Sequence, residues 1–232
     1  MHRSYKSVAV AALGDGFIVT LDAMPLLSPA KAPMRVPTKA LAEAIAEEWR
    51  RQGETVLPAT MPLTTLIATA LDRVLPESGP AVAEICSYAQ SELLCYRADR
   101  PPELCRRQAR DWQPWLDWAS ERYGARLEVT EGVAPVRQSE TALAAIRKAV
   151  LQHQGLTLMA LHALTQTLGS VVLALAVVEG RLDAAAAAEL ALLEETCQAE
   201  QWGEDDEAAE RRAAIRADAA ISARFLALIR VL

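Results

Sequence analysis

The sequence predicts an α+β protein with a small N-terminal β domain, residues 1–37, followed by a larger all-helical domain, residues 38–232. Two observations support this prediction. Before residue 38, turn residues and prolines interrupt short apolar runs, whereas after it apolar residues recur at helical spacing. In addition, 52% of the residues are hydrophobic but only 5% are aromatic, and apolar content made mainly of Ala, Leu and Val favours helices.

The predicted β domain begins with a hairpin. Val8 to Leu13 is an apolar run, Gly14-Asp15-Gly16 supplies turn residues, and Phe17 to Leu21 is a second run rich in β-formers. Three prolines between residues 25 and 33 then restrict the following segments to edge strands or extended connections. A β unit of this size is stable only when it packs against another element.

Helical periodicity begins after Thr38, a candidate N-cap residue, and the apolar residues from Leu41 to Trp49 share one helix face. The same spacing from Leu63 to Val74 predicts a second amphipathic helix. The segment from Arg126 to Val136 is compatible with either a short strand or a loop. Further helices are predicted near residues 80–93, 102–122, 139–153, 157–168, 170–180, 183–201 and 204–230.

Charge and cysteine content narrow the possible functions. A net charge of −6 opposes phosphate binding and argues against a nucleic-acid partner. The basic stretch Arg106 to Arg110 is interpreted as the solvated side of a helix. The four cysteines form no CxxC pair, which suits a reducing compartment, and no targeting peptide is visible. The sequence therefore predicts a cytoplasmic bacterial protein.

The segment from Leu156 to Val178 has about the length of a membrane span, but polar residues interrupt it. His162 and the run Thr165 to Thr167 fall inside the segment, and Gly169-Ser170 resembles a helix stop followed by a new N-cap. We therefore expect two buried helices and no integral membrane segment. A membrane-associated adaptor that uses this segment is a competing hypothesis.

No pattern in the sequence points to catalysis, a cofactor or a metal. There is no GxSxG or HExxH motif, and the cysteines lack the spacing of metal ligands. The glycines at 14 and 16 lead into a strand rather than into a helix that could bind phosphate. We expect no catalytic, cofactor-binding or metal-binding residues. The alternative is an enzyme that uses paired carboxylates such as Glu194 and Glu200 beside a deep pocket.

Two surface patterns have more than one interpretation. Trp112, Trp115 and Trp118 lie three residues apart and form a stripe that is either an exposed adhesive surface or core packing. On the predicted helix 183–201, Leu190, Leu193 and Cys197 form the expected buried stripe. Glu194 and Glu200 flank this stripe, and Glu195 is expected on the far side of the helix. These carboxylates are either a solvated face or the polar rim of an interface.

Taken together, the motifs of the chain resemble a family of assembly chaperones for the α subunit of F1 ATP synthase, found in mitochondria and some bacteria. The similarity extends over nearly the whole chain. It rests on Tyr5-Lys6, Leu21-Asp22, Ser28 to Lys31, Pro37-Thr38, Leu41 to Trp49, Met61 to Thr64, Ser91 to Ala98, Gln108, Trp112 to Trp118, Ser170 to Gly180, Glu194-Glu195 and Glu200 to Asp205.

The resemblance implies a small N-terminal β domain, a larger helical domain, no enzymatic activity and no cofactor. It also implies that the F1 α subunit is the partner, shielded on its β-facing surface until α and β assemble, with a mitochondrial matrix location in eukaryotic relatives. Residues carried over as partner contacts are Glu194, Glu195, Glu200, Trp202 and Gly203, with Trp49 as a structural support. One departure is Asp22 to Leu27, where the family more often has glycine and arginine.

Overall fold

The computed structural model describes residues 2–132, 134–203 and 205–230, which form two compact units. The first unit contains the described residues up to Gly79, together with Gln154–Ala160 and the chain from Arg224 onward. The second contains Pro80–His153 and Leu161–Ala223. Strands precede a larger helical region along the chain, so the predicted α+β class is confirmed. The predicted boundary between a β domain, residues 1–37, and a helical domain, residues 38–232, stays a prediction.

The first unit contains a four-stranded antiparallel arrangement centred on its second strand. The strands are β1 (Val8–Leu13), β2 (Gly16–Leu21), β3 (Met24–Pro25) and β4 (Arg35–Val36). The predicted hairpin is confirmed, because β1 and β2 pair along their full length around a two-residue turn. The two short strands both pair with β2, which leaves β1 at the edge of the sheet. β3 and β4 each pair with β2 on one side only in the described part of the chain, so they are edge strands, as the prolines predicted.

The turn between β2 and β3 is built from two non-glycine residues with positive φ, Asp22 at 47° and Ala23 at 67°. Positive φ at both central residues suits a two-residue hairpin, and the flanking residues Leu21 and Met24 do oppose each other. The Asp22 carboxylate accepts hydrogen bonds from the backbone N–H of Ser7 at 2.8 Å and of Lys6 at 3.0 Å. These bonds hold the pKa of Asp22 below its ordinary value.

Two helices follow the strands in the first unit. Helix α1 (Lys39–Arg50) begins as predicted, with the Thr38 hydroxyl accepting a hydrogen bond from the Leu41 N–H at 3.1 Å. Its apolar face, including Leu41 and Ile45, is fully buried. Helix α2 (Pro62–Thr69) continues into a π-helical turn over Ala70–Val74, so the predicted second amphipathic helix is present with a wider last turn.

The remaining helices are α3 (Gly79–Tyr88), α4 (Pro102–Tyr123), α5 (Glu140–Val150), α6 (Gly155–Leu168), α7 (Val171–Val178), α8 (Ala184–Ala191), α9 (Leu193–Trp202) and α10 (Asp206–Ile229). Strands β5 (Tyr96–Arg97) and β6 (Thr130–Glu131) pair in parallel within the second unit. The ambiguous segment after Arg126 thus contains a short strand. Two-residue strands carry no periodicity, which is why the sequence did not reveal the pair.

Helices α6 and α7 account for the long apolar segment. Gly169 has a positive φ of 65° and ends α6, and the Ser170 hydroxyl accepts a hydrogen bond from the Leu173 N–H at 3.0 Å to begin α7. The predicted stop and new N-cap are confirmed. None of the helices in the described part of the chain has the length and apolarity to span a bilayer. All eight residues of α7 are buried.

The start of α7 is also capped by a buried carboxylate from a distant segment. Glu92 accepts hydrogen bonds from the N–H groups of Val171 at 3.0 Å and Val172 at 3.3 Å. The residue is fully buried, and this burial raises the pKa of Glu92 to about 7, although hydrogen bonds from Ser170 and the backbone oppose the rise. The carboxylate therefore supplies acceptors to helix N–H groups that have no partner within α7.

Candidate functional site

The candidate site lies on α9 and the start of α10, in the second unit. The single helix predicted over 183–201 is wrong, because the chain forms two helices that meet at Leu192. The backbone of Leu192 leaves helical geometry, with φ −94° and ψ 7°. Of the predicted buried stripe, Leu193 and Cys197 are buried, whereas Leu190 is only half-buried. Apolar spacing continues through the break, so the pattern alone could not locate it.

Two of the predicted carboxylates are engaged in ion pairs. The Glu200 carboxylate accepts a hydrogen bond from Arg107 of α4 at 2.8 Å. Glu195, which was expected on the far side of the helix, is half-buried and pairs with Arg211 of α10. Glu194 is exposed and makes no hydrogen bond or ion pair with any residue that the structure describes. Of the three predicted carboxylates, Glu195 and Glu200 are therefore paired with arginines, and Glu194 is available to an outside partner.

Trp202 is the most exposed large apolar residue among those described, with 76% of its surface accessible. It ends α9, and Gly203 follows with a positive φ of 89° while its N–H donates to the Ala199 carbonyl at 2.9 Å. Glycine suits this position because side chains disfavour positive φ. Glu204, part of the motif, lies outside the described residues.

A shallow cavity of about 350 Å³ lies between the end of α9 and the start of α10. It is lined by Glu195, Gln198, Ala199, Trp202, Gly203, Asp205, Ala208, Arg211 and Arg212. Neither Glu194 nor Glu200 lines it, so this cavity is not the carboxylate-flanked pocket that the enzyme hypothesis requires. The described residues contain no cluster of three His, Cys, Asp or Glu side chains able to hold a metal ion.

This arrangement is compatible with contact between the surface and another protein. An exposed tryptophan is the kind of side chain that anchors an interface, and charged groups around it can form a polar rim. Ion pairs at the protein surface, such as that of Arg107 and Glu200, contribute little net stability, so a partner could rearrange them at little cost. We call Glu194, Glu195, Glu200, Trp202 and Gly203 the acidic–aromatic surface.

The partner of Glu200, Arg107, belongs to the basic stretch that the sequence predicts as the solvated side of a helix. Arg106 and Arg110 are exposed, as expected, but Arg107 is half-buried and also donates to the Cys197 thiol sulfur at 3.3 Å. Arg107 lies four residues after Glu103, and this i, i+4 pairing was the only signal in the sequence that it belongs to an ordered cluster.

The first tryptophan of the α4 stripe, Trp112, belongs to the core of the second unit. Trp112 is fully buried, and its indole N–H donates to the Leu190 carbonyl at 2.9 Å. Trp115 and Trp118 are half-buried and meet edge to face, with ring centroids 6.3 Å apart. The interpretation as an exposed adhesive surface is therefore wrong for Trp112.

Trp49 lies in the first unit, where it is only 8% exposed. Its ring meets that of Tyr5 edge to face at 5.5 Å, and the Tyr5 hydroxyl donates to the Trp49 carbonyl at 2.7 Å. This joins the N-terminal segment to the end of α1. The side chain also lines a cavity of about 590 Å³. Its position is compatible with the predicted supporting role, which stays a prediction.

Comparison with known proteins connects this fold to a family. The model of the ATP12 chaperone protein family matches residues 2–120. The crystal structure of Atp12 from Paracoccus denitrificans is 41% identical, with a TM-score of 0.90, over 99% of this chain and 98% of that one. A point mutant of that protein gives the same values. The Atu1473 protein of Agrobacterium tumefaciens is 40% identical, with a TM-score of 0.91, over 99% of this chain and 86% of that one.

The family model covers just over half of the chain, and the solved relatives extend the similarity through the second unit, including the helices that carry the acidic–aromatic surface. The chain belongs to the ATP12 chaperone protein family.

Proposed function

We propose that the protein is a cytoplasmic assembly chaperone that binds the α subunit of F1 ATP synthase and shields its β-facing interface until α and β assemble. The observation that supports this most strongly is the 41% identity to Atp12 over 99% of the chain. We further propose that it does so without a cofactor and without catalysing a reaction. The shielding role has a physical basis, because a subunit interface exposed before assembly is prone to aggregate.

Within this proposal the acidic–aromatic surface contacts the α subunit. Trp202 is the anchor, since its side chain is exposed in the free protein and would lose water on binding. Glu194 has no partner among the described residues and is therefore available to a basic group of the client. Glu195 and Glu200 can exchange their present arginine partners for the client at low cost, because ion pairs in contact with solvent are weak.

The primary experiment is a pull-down of separately expressed α and β subunits of the cognate F1 with the purified protein. We expect α to be retained, β not to be retained, and light scattering by α to fall when the protein is added. Retention of neither subunit, with both shown to be folded, would contradict the proposed client.

The contact surface is tested by charge reversal and truncation. We expect Glu194→Lys combined with Glu200→Lys to weaken α binding by at least about tenfold, and Trp202→Ala to do the same. Neither change should alter the free energy of unfolding by more than about 1 kcal/mol, because these side chains are exposed. Glu121→Lys is the control for a single charge reversal and is compared with Glu194→Lys alone, since Glu121 is an exposed glutamate of α4 outside this surface.

If the site variants bind α as tightly as the unchanged protein, the contact surface lies elsewhere and the client assignment survives. Circular dichroism establishes that helicity is retained in each variant. Loss of binding in the Glu121→Lys control as well would instead indicate a general effect of net charge.

A further inference from the structure

The outer edge of β1 is an unusual feature of the first unit. Strand β1 has the sequence VAVAAL, six residues with no charge, no proline and no glycine. It pairs with β2 on one side only. Proteins commonly protect exposed strand edges with charged side chains, prolines, bulges or a covering segment. The strand itself carries none of the sequence-based protections.

The pairing register shows which backbone groups point outward. The Asp22 N–H donates to the Ser7 carbonyl at 3.1 Å, and Leu13 opposes Gly16 directly across the two-residue turn. Odd-numbered residues of this segment therefore direct their N–H and C=O groups to β2. Since neighbouring residues alternate in an antiparallel ladder, Val8, Val10 and Ala12 direct theirs away from the sheet. Within the described part of the chain, no other residue forms a hydrogen bond with these outward groups.

The side chains along the edge leave room for a further strand. Ala9, Ala11 and Leu13 share one face and are all exposed, whereas Val8 and Val10 are half-buried on the other face. Small side chains with no charge favour close approach of another backbone. A row of N–H and C=O groups at alternate residues is complementary only to an extended chain, because a helix satisfies its own backbone groups.

We propose that β1 is a client-binding edge, which adds an extended, uncharged segment of the α subunit as a further strand of the sheet. This inference rests on the function proposed above. The client strand exchanges hydrogen bonds with Val8, Val10 and Ala12, and its side chains beside the exposed face are apolar. A second copy of this chain is the weaker candidate, since a six-residue edge alone is far smaller than the about 20–30 residues per partner of a stable interface. The α subunit has a further contact in the function proposed above, the acidic–aromatic surface.

The first test is hydrogen exchange of the full chain, free and in complex with the α subunit, read residue by residue. In the free protein we expect the amides of Val8, Val10 and Ala12 to exchange rapidly and those of Ala9 and Ala11 to be protected by β2. Addition of α should slow the outward amides at least about tenfold. If α is retained in the pull-down while the outward amides stay fast, this inference fails and the client assignment stands.

A substitution provides a second, independent test. Ala12→Pro removes one outward N–H and no ladder hydrogen bond, and its side chain is exposed. We expect α to bind about fivefold more weakly, as for the loss of one hydrogen bond. Ala12→Ser keeps the N–H and should bind α like the unchanged protein. Equal affinity of both variants would overturn the inference, provided that circular dichroism shows both to be folded.

Two further outcomes also decide the question. Protection of the outward amides that grows with protein concentration in the absence of α would replace the client strand by a second copy. Failure of α to bind at all would remove this inference together with the proposed function.

Ala12→Lys keeps the N–H but adds a charge to the edge, and it should reduce binding even if Ala12→Pro perturbs the strand.

Discussion

The buried Glu92 carboxylate makes the stability of the protein depend on pH near neutrality, and Glu92→Gln tests this. Burial raises its pKa from 4.5 to about 7. A carboxyl group with a raised pKa stabilises the fold fully below its ordinary pKa and loses that contribution as the pH rises through the folded value. The free energy of unfolding should therefore fall between pH 4.5 and about 7, because the folded protein binds the proton more tightly than the unfolded chain.

The magnitude follows from the difference between the two pKa values. A difference of about 2.5, at about 1.4 kcal/mol for each pH unit, gives about 3 kcal/mol. Glutamine has nearly the same shape and can accept the α7 N–H hydrogen bonds through its carbonyl oxygen, but it does not titrate. The variant should thus gain about 3 kcal/mol relative to the unchanged protein as the pH rises from 4.5 to 8.

Comparison of the variant with the unchanged protein cancels the contributions of other titrating groups to the pH dependence of stability. Burial lowers the pKa of His153, which contributes stability above pH 6.5 that is lost as the pH falls. The His153 contribution has the opposite sign to that of Glu92 and acts in an overlapping pH range. It is the same in the unchanged protein and in the Glu92→Gln variant. Urea unfolding followed by circular dichroism at pH 4.5, 5.5, 6.5 and 8, at constant ionic strength, gives the difference between them. A difference that stays constant with pH would refute the argument.

Substitutions at three positions test features of the first unit. Ala23→Gly should raise the free energy of unfolding by about 0.5–1 kcal/mol, because it relieves a positive φ that alanine disfavours, and urea titration measures this. Trp49→Ala should lower it by about 3–5 kcal/mol, whereas Trp49→Phe, which keeps a ring beside Tyr5, should cost less; equal losses would exclude a ring-specific contact. Thr38→Ala should cost about 1 kcal/mol through loss of the α1 N-cap, visible as a lower thermal midpoint, and Thr38→Ser should restore most of it.

The sequence predicted those features that depend on local chemistry. The β1–β2 hairpin, the Thr38 N-cap and the interruption at Gly169-Ser170 all follow from turn and capping residues, and all are present. The break at Leu192 escaped prediction because α8 and α9 keep one apolar pattern across it. Sequence patterns also could not place Glu92, since its partners lie about 80 residues away in the chain.

The candidate site was predicted in part. The resemblance identified the acidic–aromatic residues, and exposure of Trp202 agrees with a contact role, but their function as partner contacts stays a prediction. The pairing of Glu195 with Arg211 depends on how α10 folds back beside α9. Such long-range pairing is set by tertiary packing, which the pattern of a single helix does not contain.

The complete burial of α7 has a consequence for the order in which the chain folds. Eight residues are too few for a stable helix in water, so α7 cannot form in advance of the elements that enclose it. Its N-terminal acceptors come from the separate segment at Glu92, which must already be in place. Helix α7 should therefore form only with the cooperative closure of the second unit, and its amides should exchange with solvent only when that unit opens as a whole.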